Sequence, residues 1–207
     1  MIEITKTPIF TQEIYTFNLP DFKIYEEQIK QIILVESNKA IHGIDTSPDL
    51  ECNVKAKRTA WNSHKKYNIL NQLSSDIAKY VGQIIESENY DVPGIETKNC
   101  WINWYGKGQN ALPHNHRSTI SAVLFVDVED TDAVLMFHSD QNLVLHKKTD
   151  THTNFSDIKT LKAHNGLVVC FDGSIFHSVT PNLSDHNRVT FAVNYTVHYP
   201  EPERNEY

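Results

Sequence analysis

The sequence predicts a mainly β protein, an antiparallel sandwich or barrel of the jelly-roll kind with N-terminal helices packed outside it. Three observations predict it. From Thr97 onward, seven short β-rich runs follow one another, broken by Gly, Asp, Asn and Pro: ETKNCWINWY, STISAVLFVDV, DAVLMFHS, QNLVLHKK, NGLVVCF, IFHSVT and RVTFAVNYTVHY. No helical run separates them, so the crossovers of a parallel sheet are absent. Ahead of them stand two segments whose apolar residues recur at steps of three and four, the helical period.

The first nineteen residues alternate enough to predict an edge strand around Ile9 to Phe17. Asp21 then reads as an N-cap for FKIYEEQIKQIILVES, in which Ile24, Gln28, Ile29, Ile32 and Ile33 share helical spacing. A polar, less periodic region runs from about His42 to Lys66. The second helix, KYNILNQLSSDIAKYVGQIIES, is the clearest element, with Leu70, Leu73, Ile77, Val81 and Ile84 on one stripe and Asp91-Val92-Pro93-Gly94 as its stop. The last strand alternates strictly. Val189, Phe191, Val193, Tyr195 and Val197 form an apolar side, expected against the helices, and Arg188, Thr190, Ala192, Asn194 and Thr196 the other. That second side either meets water or lines a polar cavity.

Bulk properties narrow the function. At 207 residues the chain fits one domain: residues 1–96 as a strand and supporting helices, 97–199 as the β core, 200–207 as a tail. A net charge of -7 argues against a broad nucleic-acid-binding face. Cys52, Cys100 and Cys170 are odd in number, widely spaced and free of CxxC pairing, as expected of reduced thiols in a cytoplasmic protein. The opening MIEITKTPIFTQEIYTF predicts no secretory leader, and nothing approaches the length of a membrane span.

Chemistry concentrates in two places. PHNH places His114 and His116 one residue apart, and GLVVCFDGSIFHSVTPNLSDHNRVTF delivers His177 and then Arg188. With eleven histidines in the chain, one His-x-His pair is no surprise by itself. Non-haem iron, however, needs three ligands on one octahedral face and leaves the other positions open. Alternate residues of one strand would aim two imidazoles the same way, and a histidine of a facing strand would supply the third. A basic residue one strand further in could grip the far carboxylate of a dicarboxylate that chelates the metal.

This set, in this order, resembles the Fe(II)/2-oxoglutarate-dependent oxygenases, most of all their small bacterial and bacteriophage members distantly related to prolyl hydroxylases. The family reads His-x-Asp/Glu, a distal His, and Arg or Lys ten to eleven residues later. Here these are His114-Asn115-His116, His177, and Arg188 eleven positions after His177. Trp101-Ile102-Asn103, the strand SAVLFVDV and the span from Arg188 to Asn194 match further motifs of that group. The resemblance covers roughly residues 97–199 and implies a double-stranded β-helix, Fe(II) on His114, His116 and His177, and 2-oxoglutarate as cosubstrate anchored by Arg188. It further implies an oxidation, hydroxylation by default, of a small molecule or protein side chain. Asn194 and Tyr105 are the leading candidates for further cosubstrate contacts, ahead of Asn103, Ser121 and Thr190. One departure stands out: His116 occupies the position of the usual carboxylate. A carboxylate from elsewhere, such as Asp127 or Asp172, is the alternative third ligand.

Two rivals make different demands. A cupin also opens with a glycine separated by five residues from His-x-His, as Gly108 stands here, but it expects a glutamate after the pair, where RSTIS follows, and has no need of Arg188. A non-catalytic jelly-roll binding protein expects no metal. Residues 38–66 and 139–165 are expected as lids over the site; no substrate can be read from them, and the composition allows a homodimer.

Overall fold

The computed structural model describes residues 12–37, 41–42, 53–91, 94–129, 134–138 and 158–198. Twelve strands and three helices lie within them: β1 (Ile14–Asn18), α1 (Phe22–Glu36), β2 (Ile41–His42), β3 (Val54–Lys55), β4 (Lys57–Arg58), α2 (Ser63–Lys66), α3 (Asn68–Ser87), β5 (Gly94–Tyr105), β6 (Asn110–His114), β7 (Ile120–Asp127), β8 (Val134–His138), β9 (Ile158–Lys162), β10 (Leu167–Asp172), β11 (His177–Val179) and β12 (Arg188–His198). They build two sheets, ordered β1-β10-β7-β12-β5-β4-β2 and β3-β6-β11-β8-β9. Every ladder between named strands is antiparallel. The chain is thus a mainly β double-stranded β-helix with helices on one face, as the sequence predicts.

The alternation of β12 explains the layering. Val189, Phe191, Val193, Tyr195 and Val197 join Ile29 and Ile32 of α1 and Leu70, Leu73, Ile77, Val81 and Ile85 of α3 in one core between the larger sheet and the helices. The Tyr195 hydroxyl, fully buried, donates to the Ser74 carbonyl of α3 at 2.7 Å, so the layer is joined by a satisfied polar contact as well. The opposite side of β12 faces inward: Arg188, Thr190, Ala192 and Asn194 are all buried. Inside the barrel, Phe125, Leu135, Phe137, Val169 and Phe171 form a second cluster. From Arg188 to Asn194 the polar side of β12 therefore lines an interior, while Thr196 beyond it is partly exposed.

Several local expectations are corrected. Asp21 stands at the start of α1 with φ 54°, and its side chain makes no cap bond. The buried face of α1 is Tyr25, Ile29, Ile32 and Glu36, while Ile24 is 60% exposed, because the sheet meets the helix one residue round from the predicted stripe. On α3 the deepest residue of the last turn is Ile85, with Ile84 only partly buried. That helix ends at Ser87, before Asp91-Val92-Pro93-Gly94, and Asn89 adopts the left-handed conformation (φ 63°) that short polar side chains tolerate at helix ends. β1 takes its predicted edge position; Ile9 to Thr11 lie outside the described residues. So do residues 141–148, where a strand was expected, and most of the two lid regions; within the first of these, residues 53–66 form β3, β4 and α2. β9 was not anticipated, and the strand expected to carry both His114 and His116 is β6, which ends at His114.

Cys100 and Cys170 are free and buried in the layer between sheet and helices, and burial pushes both thiols up to about 12. The thiolate is the reacting form. Native protein at pH 8 is therefore expected to leave both unmodified by iodoacetamide, with reaction only after unfolding, as peptide mass spectrometry would show. Labelling of either under native conditions would mean that the helical layer opens.

Candidate metal centre

β11 pairs with β6 so that His177 lies directly opposite His114. Opposite residues of an antiparallel pair project to the same face, so these two imidazoles meet, their ring centroids 4.4 Å apart. His116 arrives differently from the expectation. β6 ends at His114, and His116 stands two residues beyond it, in the connection to β7, so strand alternation does not aim it. A tie to the β10–β11 turn holds it there: its backbone N–H donates to the Gly173 carbonyl at 2.7 Å, and Gly173 N–H donates to Thr119 O at 3.2 Å. Its ring then lies 5.2 Å from that of His114 and 5.0 Å from that of His177.

One ring nitrogen from each of His114, His116 and His177 lies within 4.8 Å of the others, the one such metal-binding group among the described residues. His114 Nδ1 faces Leu112 O at 2.7 Å and His177 Nδ1 faces Ile175 O at 2.9 Å. A carbonyl can only accept, so both Nδ1 atoms carry the proton and both Nε2 atoms present a lone pair. His116 Nε2 lies 3.2 Å from His177 Nε2. Metal–nitrogen bonds of about 2.1 Å put neighbouring octahedral donors about 3 Å apart, so this spacing suits a first-row metal. Burial also keeps the rings neutral. It pushes His116 down to about 3, aided by His114, and lowers His114 against the pull of the Leu112 carbonyl. Burial likewise holds His177 well below the usual imidazole range. At neutral pH the cluster consists of donors and not of cations.

The alternative carboxylates lie elsewhere. Asp127 is ion-paired with Lys30 at 3.3 Å and lies 3.0 Å from His186 Nε2, and Asp172 Oδ1 accepts from Ser174 N–H at 2.7 Å. Neither joins the histidines, nor does any other carboxylate among the described residues.

Arg188 opens β12 opposite Tyr105, is 1% exposed, donates from Nη2 to Thr180 O at 2.6 Å and lies over the Tyr105 ring at 4.7 Å. Arg188 and Tyr105 thus form one unit, at one end of the inward side of β12. Asn194 sits at the other end, beside His116. Between them Asn103 Nδ2 donates to Thr190 Oγ1 at 3.4 Å, and Ser121 donates to Asn194 Oδ1 at 2.9 Å. Sequence reasoning missed a second interior guanidinium. Arg58, fully buried on β4 opposite Asn103, stacks over Trp61 at 4.0 Å. It lies in KAKRTAWN, a basic stretch with the look of a solvated surface, and no periodicity betrays it. Trp101, 5.7 Å from the His116 ring, was matched to a motif but given no role.

Residues 99–194 match the family model described as "Putative 2OG-Fe(II) oxygenase". Over these residues, just under half of its length, the chain is similar to 2OG-Fe(II) oxygenases. The family's cofactors are Fe(II) and 2-oxoglutarate, and the three-histidine cluster suits such a metal. Among solved structures, a Pseudomonas putida prolyl-4-hydroxylase is similar at 14% identity and a TM-score of 0.62, over 91% of this chain and 95% of that one. A Trichoplax adhaerens prolyl hydroxylase, solved with a hypoxia inducible factor peptide, is similar at 14% identity and 0.62, over 90% and 84%. HygX from Streptomyces hygroscopicus, with nickel and 2-oxoglutarate bound, is similar at 10% and 0.60, over 91% and 84%. At such identities the likeness is one of fold. No curated protein sequence matches the chain. No helix among the described residues is long and apolar enough to cross a membrane.

Gly173 gives the metal centre a testable hinge. A Cβ there would collide with the Ser118 backbone carbonyl and hydroxyl. Gly173→Ala is expected to cost about 1–3 kcal/mol of stability through overpacking. By displacing the carbonyl that holds His116, it should also weaken metal binding. Thermal melts and anaerobic metal titration on the same sample check both; a variant that melts lower but binds metal as before would uncouple the turn from His116.

Proposed function

We propose that the chain is a 2OG-Fe(II) oxygenase, a hydroxylase in which His114, His116 and His177 hold Fe(II) and Arg188 anchors the C5 carboxylate of 2-oxoglutarate. The convergence of three Nε2-capable imidazoles at the end of the barrel lined by Arg188 carries this reading. Bound Fe(II) would supply dioxygen activation coupled to decarboxylation of the cosubstrate. The balanced outcome is 2-oxoglutarate, dioxygen and a C–H bond giving succinate, carbon dioxide and a C–OH group.

The chain's own residues bind and orient. Neutral imidazoles, that of His177 buried and those of His114 and His116 half-buried, offer lone pairs without first losing protons. The Leu112 and Ile175 carbonyls fix two of the rings through Nδ1. Arg188, braced by Tyr105 and Thr180 O, presents a fork suited to a carboxylate. Phe137 and Phe171 shield His177 from water. The substrate is a small molecule or a protein side chain; the net charge of -7 speaks against nucleic acid. The buried free thiols support a cytoplasmic setting, and one domain, with residues 1–96 supporting a core of 97–199, accounts for the shared helix–sheet layer.

The test is anaerobic addition of Fe(II) and 2-oxoglutarate to metal-stripped protein. A visible charge-transfer band followed, on admitting air, by succinate formation is the expected result. Absence of both metal binding and the band would return the chain to a non-catalytic jelly roll.

A further inference from the structure

A metal needs Nε2 of each histidine as a lone pair, so each Nδ1 must carry the proton and needs an acceptor. His114 and His177 meet backbone carbonyls there. His116 meets a side chain instead, with Asn194 Nδ2 3.3 Å from its Nδ1. Asn194 is itself enclosed, at 6% exposure, in a polar chain: Nδ2 donates to Asn99 Oδ1 at 2.9 Å, Oδ1 accepts from Ser121 Oγ at 2.9 Å, and Ser121 Oγ lies 3.1 Å from Ser118 Oγ.

With its NH2 toward His116, Asn194 makes Nδ1 the acceptor and leaves the proton on Nε2, aimed at His177 Nε2. That is the wrong tautomer for a ligand. The two ends of a carboxamide have nearly the same shape, and a half turn exchanges them. After it, the Asn194 oxygen accepts from His116 Nδ1–H. Asn99, turned likewise, donates its NH2 to the same oxygen. The Asn194 NH2 donates to Ser121 Oγ, whose hydrogen passes to Ser118 Oγ. Each of these four contacts again pairs a donor with an acceptor, and His116 Nε2 is free to bind.

We propose that Asn194 is a positioning residue for the metal: its carboxamide, by turning its oxygen to His116 Nδ1–H together with Asn99, sets the tautomer and orientation in which His116 binds. This moves Asn194 from the cosubstrate contacts to the support of one ligand, and it rests on the proposed Fe(II) site. A carboxylate in its place would accept the same hydrogen bond; an aliphatic side chain could not.

Anaerobic Fe(II) affinities of wild type, Asn194→Asp and Asn194→Leu test it, Leu sharing the branching of Asn without its polar atoms. Losing support of this kind costs about ten- to a hundredfold in metal affinity, which is the expectation for Asn194→Leu. Asn194→Asp should bind at least as tightly as wild type. Nitrogen-15 NMR of His116 in Zn(II)-loaded wild type is the second measurement and needs no variant to fold: Nδ1 should be protonated, with a hydrogen slow to exchange. An Asn194→Leu variant of wild-type affinity overturns the proposal, as does an Asn194→Asp variant as weak as Asn194→Leu, or a His116 Nδ1 that is unprotonated or exchanges freely. Wild type that binds no metal overturns the proposed function and this inference with it, whereas metal-bound wild type with indifferent variants overturns this inference alone.

Discussion

His114→Ala, His116→Ala and His177→Ala are each expected to abolish measurable Fe(II) binding, a loss of about a hundredfold or more, while Asn115→Ala leaves it nearly unchanged. Apparent metal-binding energies of about 10–16 kcal/mol, shared over a few ligands, make each ligand worth several kcal/mol. Asn115 lies between two of these ligands, yet it is exposed and its Nδ2 donates to Ser174 O at 3.3 Å, outside the cluster. The asymmetry across three adjacent residues therefore reads the geometry directly. His116→Asp should retain metal far better than His116→Ala, because it restores the family's usual carboxylate; its shorter reach would weaken binding relative to wild type. Anaerobic calorimetry measures all of these. If His116→Ala kept full affinity while His114→Ala lost it, the three-histidine set would be wrong and a carboxylate ligand would have to be sought.

The second large effect falls on the cosubstrate. Arg188→Ala is expected to weaken 2-oxoglutarate binding by about 2–5 kcal/mol, part of it from the stranded carboxylate, with Fe(II) affinity nearly intact. Arg188→Lys keeps the charge but loses the fork and the flat stacking on Tyr105, so it should fall between the two. Titrating the charge-transfer band with 2-oxoglutarate separates the cases. Because Arg188 is buried and bonded to Thr180 O, Arg188→Ala should also lower the melting temperature, which Arg188→Lys should do less. Wild-type cosubstrate affinity in Arg188→Ala would shift the anchor to the other guanidinium inside the barrel, Arg58, and Arg58→Ala would then carry the loss.

The strands and α3 were legible because burial on one side writes its period into the sequence. Val189 to Val197 alternate, and Leu70 to Val81 step by three and four, since each faces one apolar layer. α1 was legible as a helix but not in its facing. Its isoleucines surround more than one side, and only the docked sheet selects Ile29 and Ile32 over Ile24. β6 was legible only through its histidines and not in its bounds, because five residues containing a proline give too little pattern, and it exists through its pairing with β3 and β11.

By itself the sequence determined the histidines, the order in which they arrive and the basic residue that follows, because ligand chemistry restricts residue types and a strand's period restricts which neighbours co-orient. Only the tertiary structure decided how His116 reaches its partners. Beyond the end of β6 no local rule aims a side chain, and a hydrogen bond to Gly173 O, from a turn nearly sixty residues away, does so instead. The same holds for Arg58, which reads as a surface charge until β4 pairs with β5 and turns it inward. It holds for Asn194 as well, whose contact with His116 joins residues 78 positions apart. Side-chain type and spacing are local quantities. Which nitrogen faces which oxygen across a barrel depends on register and closure, and those exist only once the sheets have met.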